Sequence, residues 1–143
     1  LGVSDEKNLE THAKCLATLN LKKAWVVLNT NGYDELTSTS SNLYIEIKNG
    51  IISKKMKLDP KEFGFKVRKE NELRGGSAKE NAFMMRRAFE GETGAIRDNI
   101  ILNSAAGLLI SENVKTLNQG IKLVESKIDN GLVLNKLSSL LTK

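Results

Sequence analysis

Two adjacent carboxylates stand out in a stretch of the chain that otherwise carries no charge. Asp34 and Glu35 lie in NTNGYDELTSTSSN, residues 29–42, directly after the apolar run AWVVL at 24–28. Neighbouring carboxylates repel each other unless a cation or a proton intervenes, and Mg²⁺ commonly takes one or two protein carboxylates together with waters and substrate phosphates. The pair therefore indicates a magnesium site that serves a phosphorylated substrate.

A second interpretation of the acidic pair is structural. Aspartate is a common turn residue, and Asn31-Gly32 makes the loop tight just before the pair, so hydration or capping of the loop also explains Asp34 and Glu35. The location favours chemistry, because ligands of α/β sheets gather beyond the carboxyl ends of the strands. Residue types and spacing leave both interpretations open.

Other residues that could do chemistry are isolated. His12 has no second His or Cys that would complete a metal set, so a surface or partly buried histidine is expected. For Cys15, a buried structural thiol is expected. Arg74-Gly75-Gly76 precedes a predicted helix whose free amides could bind an anion, but no phosphate-loop lysine accompanies it, and a loop leading into a cap is favoured.

The composition is that of an ordinary globular domain. Of 143 residues, 40% are hydrophobic and 27% are charged, so one domain with a real core is expected, without membrane insertion. The net charge of +5 is assigned to a solvated face, because aromatic residues make up only 5% of the chain and base stacking needs them. No nucleic-acid partner is predicted. The single cysteine and the lack of a targeting signal favour the cytoplasm.

The elements that must position the acidic pair follow from periodicity and turn residues. Asn49-Gly50 predicts a type I′ turn between two hairpin strands, and the run before the pair is typical of a strand covered on both faces. Such a strand normally has parallel neighbours, which favours further strands before Leu1 and a chain cut from something longer. The predicted elements are a helix over 5–20, a strand over 23–29, a hairpin over 43–58, and helices over 78–90, 95–112, from 116, and from 132.

The predicted fold class is α/β, with a mixed sheet of one parallel-type strand and an antiparallel hairpin, flanked by helices. Residues 100–110 are apolar around nearly the whole helix circumference, which predicts a central position in the domain. Leu108→Asp is therefore expected to unfold the chain by burying an unpaired charge.

Several stretches together resemble the C-terminal part of anthranilate phosphoribosyltransferase. They occur in the family's order from Gly2 to Leu141 and are GVSDEKNLETHAKCLATLNLKKAWVV, GYDEL, LRGGSAKENAFMMRRAFEGETGAIRDNIILNSAAGLL and KIDNGLVLNKLSSLL. The resemblance implies the nucleoside phosphorylase/phosphoribosyltransferase catalytic-domain fold, with residues 1–143 as the C-terminal portion of its α/β domain. The N-terminal helical domain and the glycine-rich phosphate loop, which lie upstream in the family, are absent from these residues.

The resemblance also implies an activity. The family transfers a phosphoribosyl group from phosphoribosyl pyrophosphate to anthranilate, releasing pyrophosphate, in tryptophan biosynthesis. It is Mg²⁺-dependent and typically homodimeric, and its metal-binding Asp-Glu pair corresponds to Asp34 and Glu35. No catalytic or substrate-binding residue is assigned here, because the pyrophosphate loop and the anthranilate-binding residues lie upstream in the family. The 143 residues alone are therefore expected to be inactive.

One departure from the family pattern and two alternative functions accompany this interpretation. Where the family usually has His-Gly, the chain has Leu28-Asn29. The alternatives are a pyrimidine nucleoside phosphorylase-like enzyme, which shares the architecture, and a non-catalytic fragment or paralogue that serves as a binding or assembly module. The Asp-Glu pair and the RGGSAKENA segment favour the transferase over the phosphorylase.

Overall fold

A central strand, β2, organises the sheet of the computed structural model, which describes residues 1–141. Strand β2 pairs antiparallel with β1 along its whole length and with β3 and β4 on its other side. The strands are β1 (Lys23–Asn29), β2 (Asn42–Lys48), β3 (Ile51–Ile52) and β4 (Met56–Leu58). The helices are α1 (Lys7–Ala17), α2 (Ala78–Phe89), α3 (Ala95–Ile110), α4 (Leu117–Asp129) and α5 (Leu132–Leu141), with 3₁₀ turns at Pro60–Phe63 and Glu70–Leu73.

The hairpin turn between β2 and β3 has the backbone that its sequence predicts. Asn49 and Gly50 have φ angles of 50° and 78°, the two positive values of a type I′ turn. On its other edge, β2 pairs with β1 in a register that places Lys23 opposite Lys48 and Asn29 opposite Asn42. The two ends of the segment between β1 and β2 are thus paired to each other.

Strand β1 also has a parallel neighbour, formed by residues 1–3. The Val3 amide donates to the Val27 carbonyl, and the Val27 amide donates to the Leu1 carbonyl, each at 2.9 Å. Gly2 and Val27 form a parallel bridge. The sheet therefore combines antiparallel pairing with a short parallel contact, and the predicted α/β class is confirmed.

Side chains of β1 enter two separate cores on the two faces of the sheet. Trp25 and Val27 pack with residues of α3 and α4, whereas Val26 and Leu28 pack with α1 through Leu9 and others. This division explains the apolar run of β1, because every second side chain needs apolar cover on its own face. Helices on both faces make a three-layer α/β/α arrangement.

Helix α3 lies at the centre of the larger core, although its last turn does not. Ile101, Leu102 and Ala105 are buried, as predicted for the middle of 100–110. Leu108, however, is only half-buried, so the premise that Leu108→Asp buries an unpaired charge is wrong, and a fully buried residue of α3 such as Leu102 fits it instead. The helix turns Leu108 toward a groove beside Leu123 and Val133 that opens to solvent.

The helices are somewhat shorter than the sequence pattern predicts. The first helix spans Lys7–Ala17 rather than 5–20, and the third spans Ala95–Ile110 rather than 95–112. Within residues 1–141, none of the helices has the length and apolar character needed to cross a membrane.

Candidate metal site

The acidic pair lies in the connection from β1 to β2, residues 30–41, which we call the acidic loop. The loop begins with a tight turn, in which the Gly32 amide donates to the Asn29 carbonyl at 2.8 Å and the Asn29 amide donates to the Tyr33 carbonyl at 2.9 Å. Gly32 has a φ of +88°, which glycine adopts without strain. Because of this turn, Asp34 and Glu35 lie beyond the carboxyl end of β1.

Both acidic side chains are exposed to solvent. Among residues 1–141, neither carboxylate is paired with a lysine or an arginine. The protein surface partly desolvates the carboxyl group of Glu35, and the negative charge of Asp34 adds to this effect, so the pKa of Glu35 is raised above its ordinary value. The like charges are thus uncompensated and available to a cation.

Tyr33 adds a neighbouring hydroxyl to this surface. Burial first, and then the negative charge of Glu70 and a hydrogen bond with it, raise the pKa of the Tyr33 hydroxyl, with a smaller effect from Glu35. Glu70 belongs to the 3₁₀ turn Glu70–Leu73. Residues distant in sequence therefore contribute negative charge near the pair.

Buried asparagines tie the two ends of the acidic loop together. The Asn29 side chain, which is fully buried, donates to Thr37 Oγ1 at 2.8 Å and to Asn42 Oδ1 at 3.0 Å. Its Oδ1 accepts from the Asn31 amide at 3.0 Å. Asn42 Oδ1 also accepts from the Thr37 amide at 2.9 Å. A closed polar network of this kind fixes the loop because each buried group would be costly to leave unpaired.

Helix α3 holds the middle of the acidic loop. Asn103 binds both backbone groups of Leu36, accepting from its amide at 3.1 Å and donating to its carbonyl at 2.7 Å. One turn earlier, Asn99 Oδ1 accepts from the Ser38 amide at 3.0 Å. The loop position is therefore set by contacts between residues more than 60 positions apart.

The residues present fit a magnesium ion. Carboxylate oxygens are the hard ligands that Mg²⁺ prefers, and the ion usually keeps several waters and binds substrate phosphates. Within residues 1–141, no group of three or more His, Cys, Asp or Glu side chains could hold a metal. Two exposed carboxylates on a fixed loop suit an ion whose remaining positions go to water and phosphate, rather than a fully enclosed structural metal.

The structure gives no chemical role to the other candidates from the sequence. His12 is half-buried, as expected, with Nδ1 2.8 Å from the Asn8 carbonyl. Cys15 is exposed, and the expected buried thiol is wrong, because α1 turns Leu9 and Ala13 toward the core and Cys15 away from it.

Arg74-Gly75-Gly76 forms a loop before a helix cap rather than an anion site. The Gly76 amide donates to Asn81 Oδ1 at 2.8 Å, and the Ser77 amide donates to Glu80 Oε2 at 2.7 Å. Side chains of α2 itself thus occupy the amides that an anion would need.

Sequence reasoning missed the four asparagines that hold the acidic loop. A signal was present for two of them, since Asn99 and Asn103 are polar residues four positions apart in a helix that is otherwise largely apolar. Residues at that spacing lie on one helix face. For Asn29 and Asn42, their positions at the ends of neighbouring strands gave no comparable signal.

In this α/β/α domain the acidic loop lies beyond the carboxyl end of a strand, which is where α/β sheets bind their ligands. The model of the family described as glycosyl transferase family, a/b domain, matches residues 1–134. The chain belongs to this family.

Curated relatives bear out the resemblance seen in the sequence. The anthranilate phosphoribosyltransferase of Thermoanaerobacter sp. (strain X514) is 39% identical over 141 residues, which are 99% of this chain and 41% of that enzyme. The enzyme of the same name from Methanocorpusculum labreanum is 38% identical over 141 residues, with the same coverage of both chains. The chain thus spans about two fifths of the length of the curated relatives it matches.

Solved structures of the same enzyme share the fold. That from Thermus thermophilus has a TM-score of 0.84 and 29% identity, covering 100% of this chain and 43% of that one. The enzyme from Saccharomyces cerevisiae in complex with PRPP and Mg has a TM-score of 0.85 and 23% identity, covering 96% of this chain and 40% of that one. At this identity, the second comparison shows the fold alone.

Proposed function

We propose that residues 1–143 are the C-terminal portion of the α/β domain of an anthranilate phosphoribosyltransferase, and that Asp34 and Glu35 bind its Mg²⁺. The reaction forms a bond between the anthranilate nitrogen and C1 of the ribose while the bond from C1 to the pyrophosphate oxygen breaks, and the amine loses a proton. The names of the relatives favour this reaction over a phosphorylase.

The observation that carries the proposal is that Asp34 and Glu35 are exposed on a loop fixed to α3, and that neither has a lysine or arginine partner among residues 1–141. A bound magnesium ion would offset the negative charge that grows on pyrophosphate as it leaves. The role of this chain in the reaction is to hold two carboxylates at the strand end, where they can face a phosphorylated ligand. In the whole enzyme we expect a cytoplasmic homodimer that binds phosphoribosyl pyrophosphate and anthranilate.

Metal binding by the 143-residue protein tests this proposal. Mn²⁺, which suits the same oxygen ligands as Mg²⁺, is titrated with and without phosphoribosyl pyrophosphate while electron paramagnetic resonance reports the free ion. Asp34→Asn and Glu35→Gln should each weaken binding by more than about tenfold, which is the lower end of the loss usual for residues that merely support a metal ligand.

Glu90→Gln is the matched control, because it neutralises an exposed carboxylate at the end of α2. It should leave Mn²⁺ binding as in the parent protein. Equal binding by the parent, Asp34→Asn and Glu35→Gln would remove the metal assignment and favour the non-catalytic module.

A further inference from the structure

The backbone of the acidic pair is contacted by two residues that are far apart in the sequence, Gly2 and Asn103. Gly2 lies in the segment that runs parallel to β1. Asn103 lies in the middle of α3 and binds the residue after Glu35. These contacts reach the peptides on either side of Glu35, the one that joins it to Asp34 and the one that joins it to Leu36, so they act on the direction of the carboxylates without touching them.

Asn103 makes a two-point contact with Leu36. Its Oδ1 accepts from the Leu36 amide at 3.1 Å, and its Nδ2 donates to the Leu36 carbonyl at 2.7 Å. The Leu36 amide belongs to the peptide that joins it to Glu35, so this contact fixes the plane of the Glu35 carbonyl. The Leu36 side chain, 1% exposed, is anchored in the larger core.

Asn103 itself is held in place by its own helix. Its Nδ2 also donates to the Asn99 carbonyl at 2.9 Å, one turn earlier on the same face. Asn99 in turn accepts from the Ser38 amide. The two-point contact is therefore part of a rigid helix surface and does not depend on a freely rotating side chain.

Gly2 makes a close approach to the other end of the pair. A Cβ atom at Gly2 would lie 1.5 Å from the Asp34 carbonyl oxygen and 2.4 Å from its carbonyl carbon. No side chain fits there unless the backbone moves. The segment 1–3 is fixed to β1 by hydrogen bonds on both sides of Gly2, so only glycine lets the Asp34 peptide keep its position.

We propose that Gly2 and Asn103 form a clamp that positions Asp34 and Glu35 for a divalent cation. The proposal rests on the metal site of the proposed function and assigns positioning roles to two residues that do not touch the ion. Two neighbouring carboxylates of like charge repel each other unless a cation or a proton intervenes. The clamp fixes the backbone of the pair in the folded protein, so that the cation does not have to order the loop when it binds.

The main test measures Mn²⁺ affinity in Asn103→Ala and Gly2→Ala. Each should bind Mn²⁺ about tenfold more weakly than the parent, as expected when the support of a metal ligand is lost. The two variants open the clamp by different means, since one removes hydrogen bonds and the other inserts a methyl group. If Asn103→Ala does not fold, Gly2→Ala alone decides the result.

Two controls separate positioning from general destabilisation. Ser104→Ala changes the neighbouring exposed residue of α3 and should leave both Mn²⁺ affinity and stability unchanged. Ile128→Val trims a buried residue of α4, 2% exposed, and should lower the unfolding midpoint without changing Mn²⁺ affinity. If Gly2 and Asn103 had a merely structural role, their variants would resemble Ile128→Val, with a lower unfolding midpoint and an unchanged Mn²⁺ affinity.

Amide hydrogen exchange supplies a readout that does not need the metal. In Asn103→Ala, the Leu36 amide should exchange faster than in the parent protein, whereas amides in β2 should keep their protection. Unchanged Mn²⁺ affinity in both clamp variants, with Asp34→Asn still impaired, would overturn the clamp and leave the metal site intact. Failure of the parent protein to bind Mn²⁺ would overturn the metal site, and the clamp's role with it.

Discussion

Glu46 joins the two longest strands through its side chain. Trp25 Nε1 donates to Glu46 Oε2 at 2.8 Å, and Lys23 Nζ lies 3.2 Å from the same oxygen. Trp25 and Glu46 are directly opposite in the antiparallel register. Desolvation by itself would raise the pKa of Glu46, but the hydrogen bonds from Trp25 and Lys23 outweigh it, and the pKa lies below the ordinary 4.5.

The lowered pKa of Glu46 predicts a loss of stability in acid. The stabilisation is fully present above pH 4.5, the ordinary value, and disappears as the pH falls through the lower pKa of the folded protein. Glu46→Gln keeps an acceptor for Trp25 but cannot titrate, so its unfolding midpoint should fall less steeply below this pH. Urea unfolding at a series of pH values measures the effect, with Glu90→Gln as the exposed control. Parallel pH profiles for Glu46→Gln and the parent would contradict it.

Asn29 gives the departure from the family's His-Gly pair a structural role. Its buried amide joins β1, β2 and the acidic loop through Thr37 and Asn42, while the neighbouring Leu28 enters the smaller core. The sequence predicted the strand that ends at residue 29, because the apolar run is local. It did not predict the hydrogen-bond network of Asn29, because Thr and Asn are common residues in loops and neither type by itself indicates a buried partner.

At the scale of elements, α3 has two functions on two faces. Ile101, Leu102 and Ala105 fill the core, and Asn99 and Asn103 hold the acidic loop. Helix α4 packs closely behind it, since a Cβ at Gly120 would lie 2.9 Å from the Ala105 carbonyl oxygen. A shift of α3 would therefore move the acidic loop as well.

The central position of α3 predicts different outcomes for two aspartate substitutions. Leu102→Asp places a charge at a fully buried site and should cost more than about 4 kcal/mol, enough to unfold a marginally stable domain. Leu108→Asp lies at a half-buried site in a groove open to solvent and should give a folded protein with a lower melting temperature. Circular dichroism during heating distinguishes them, and a folded Leu102→Asp would show that this core is described wrongly.

At the scale of the whole molecule, we expect the 143 residues to carry only part of the proposed reaction. In the family that the chain resembles, the pyrophosphate loop and the anthranilate-binding residues lie outside the part that these 143 residues match. The chain spans about two fifths of the length of its relatives. A metal pair without the groups that hold both substrates cannot bring the amine to the ribose. We therefore expect no N-(5-phosphoribosyl)anthranilate from the 143-residue protein supplied with both substrates and Mg²⁺. Chromatography detects the product, with the Thermoanaerobacter relative as the positive control, and substantial turnover would refute the expectation.

The sequence by itself determined the local elements. The Asn49-Gly50 turn, the capped helix start after Arg74-Gly75-Gly76, and the apolar run of β1 all appear in the structure as predicted. These features follow from interactions within a few residues, where backbone preference and side-chain caps decide the conformation. The acidic pair was recognisable for the same reason, because its two members are adjacent.

Only the tertiary structure decided what surrounds that pair. Asn103 reaches Leu36 across 67 positions of sequence, and Gly2 meets Asp34 only because residues 1–3 lie beside β1. The exposure of Cys15 likewise depends on which face of α1 meets the sheet. Contacts of this kind follow from burying the two cores together, a free energy shared by the whole chain that no short stretch of sequence specifies.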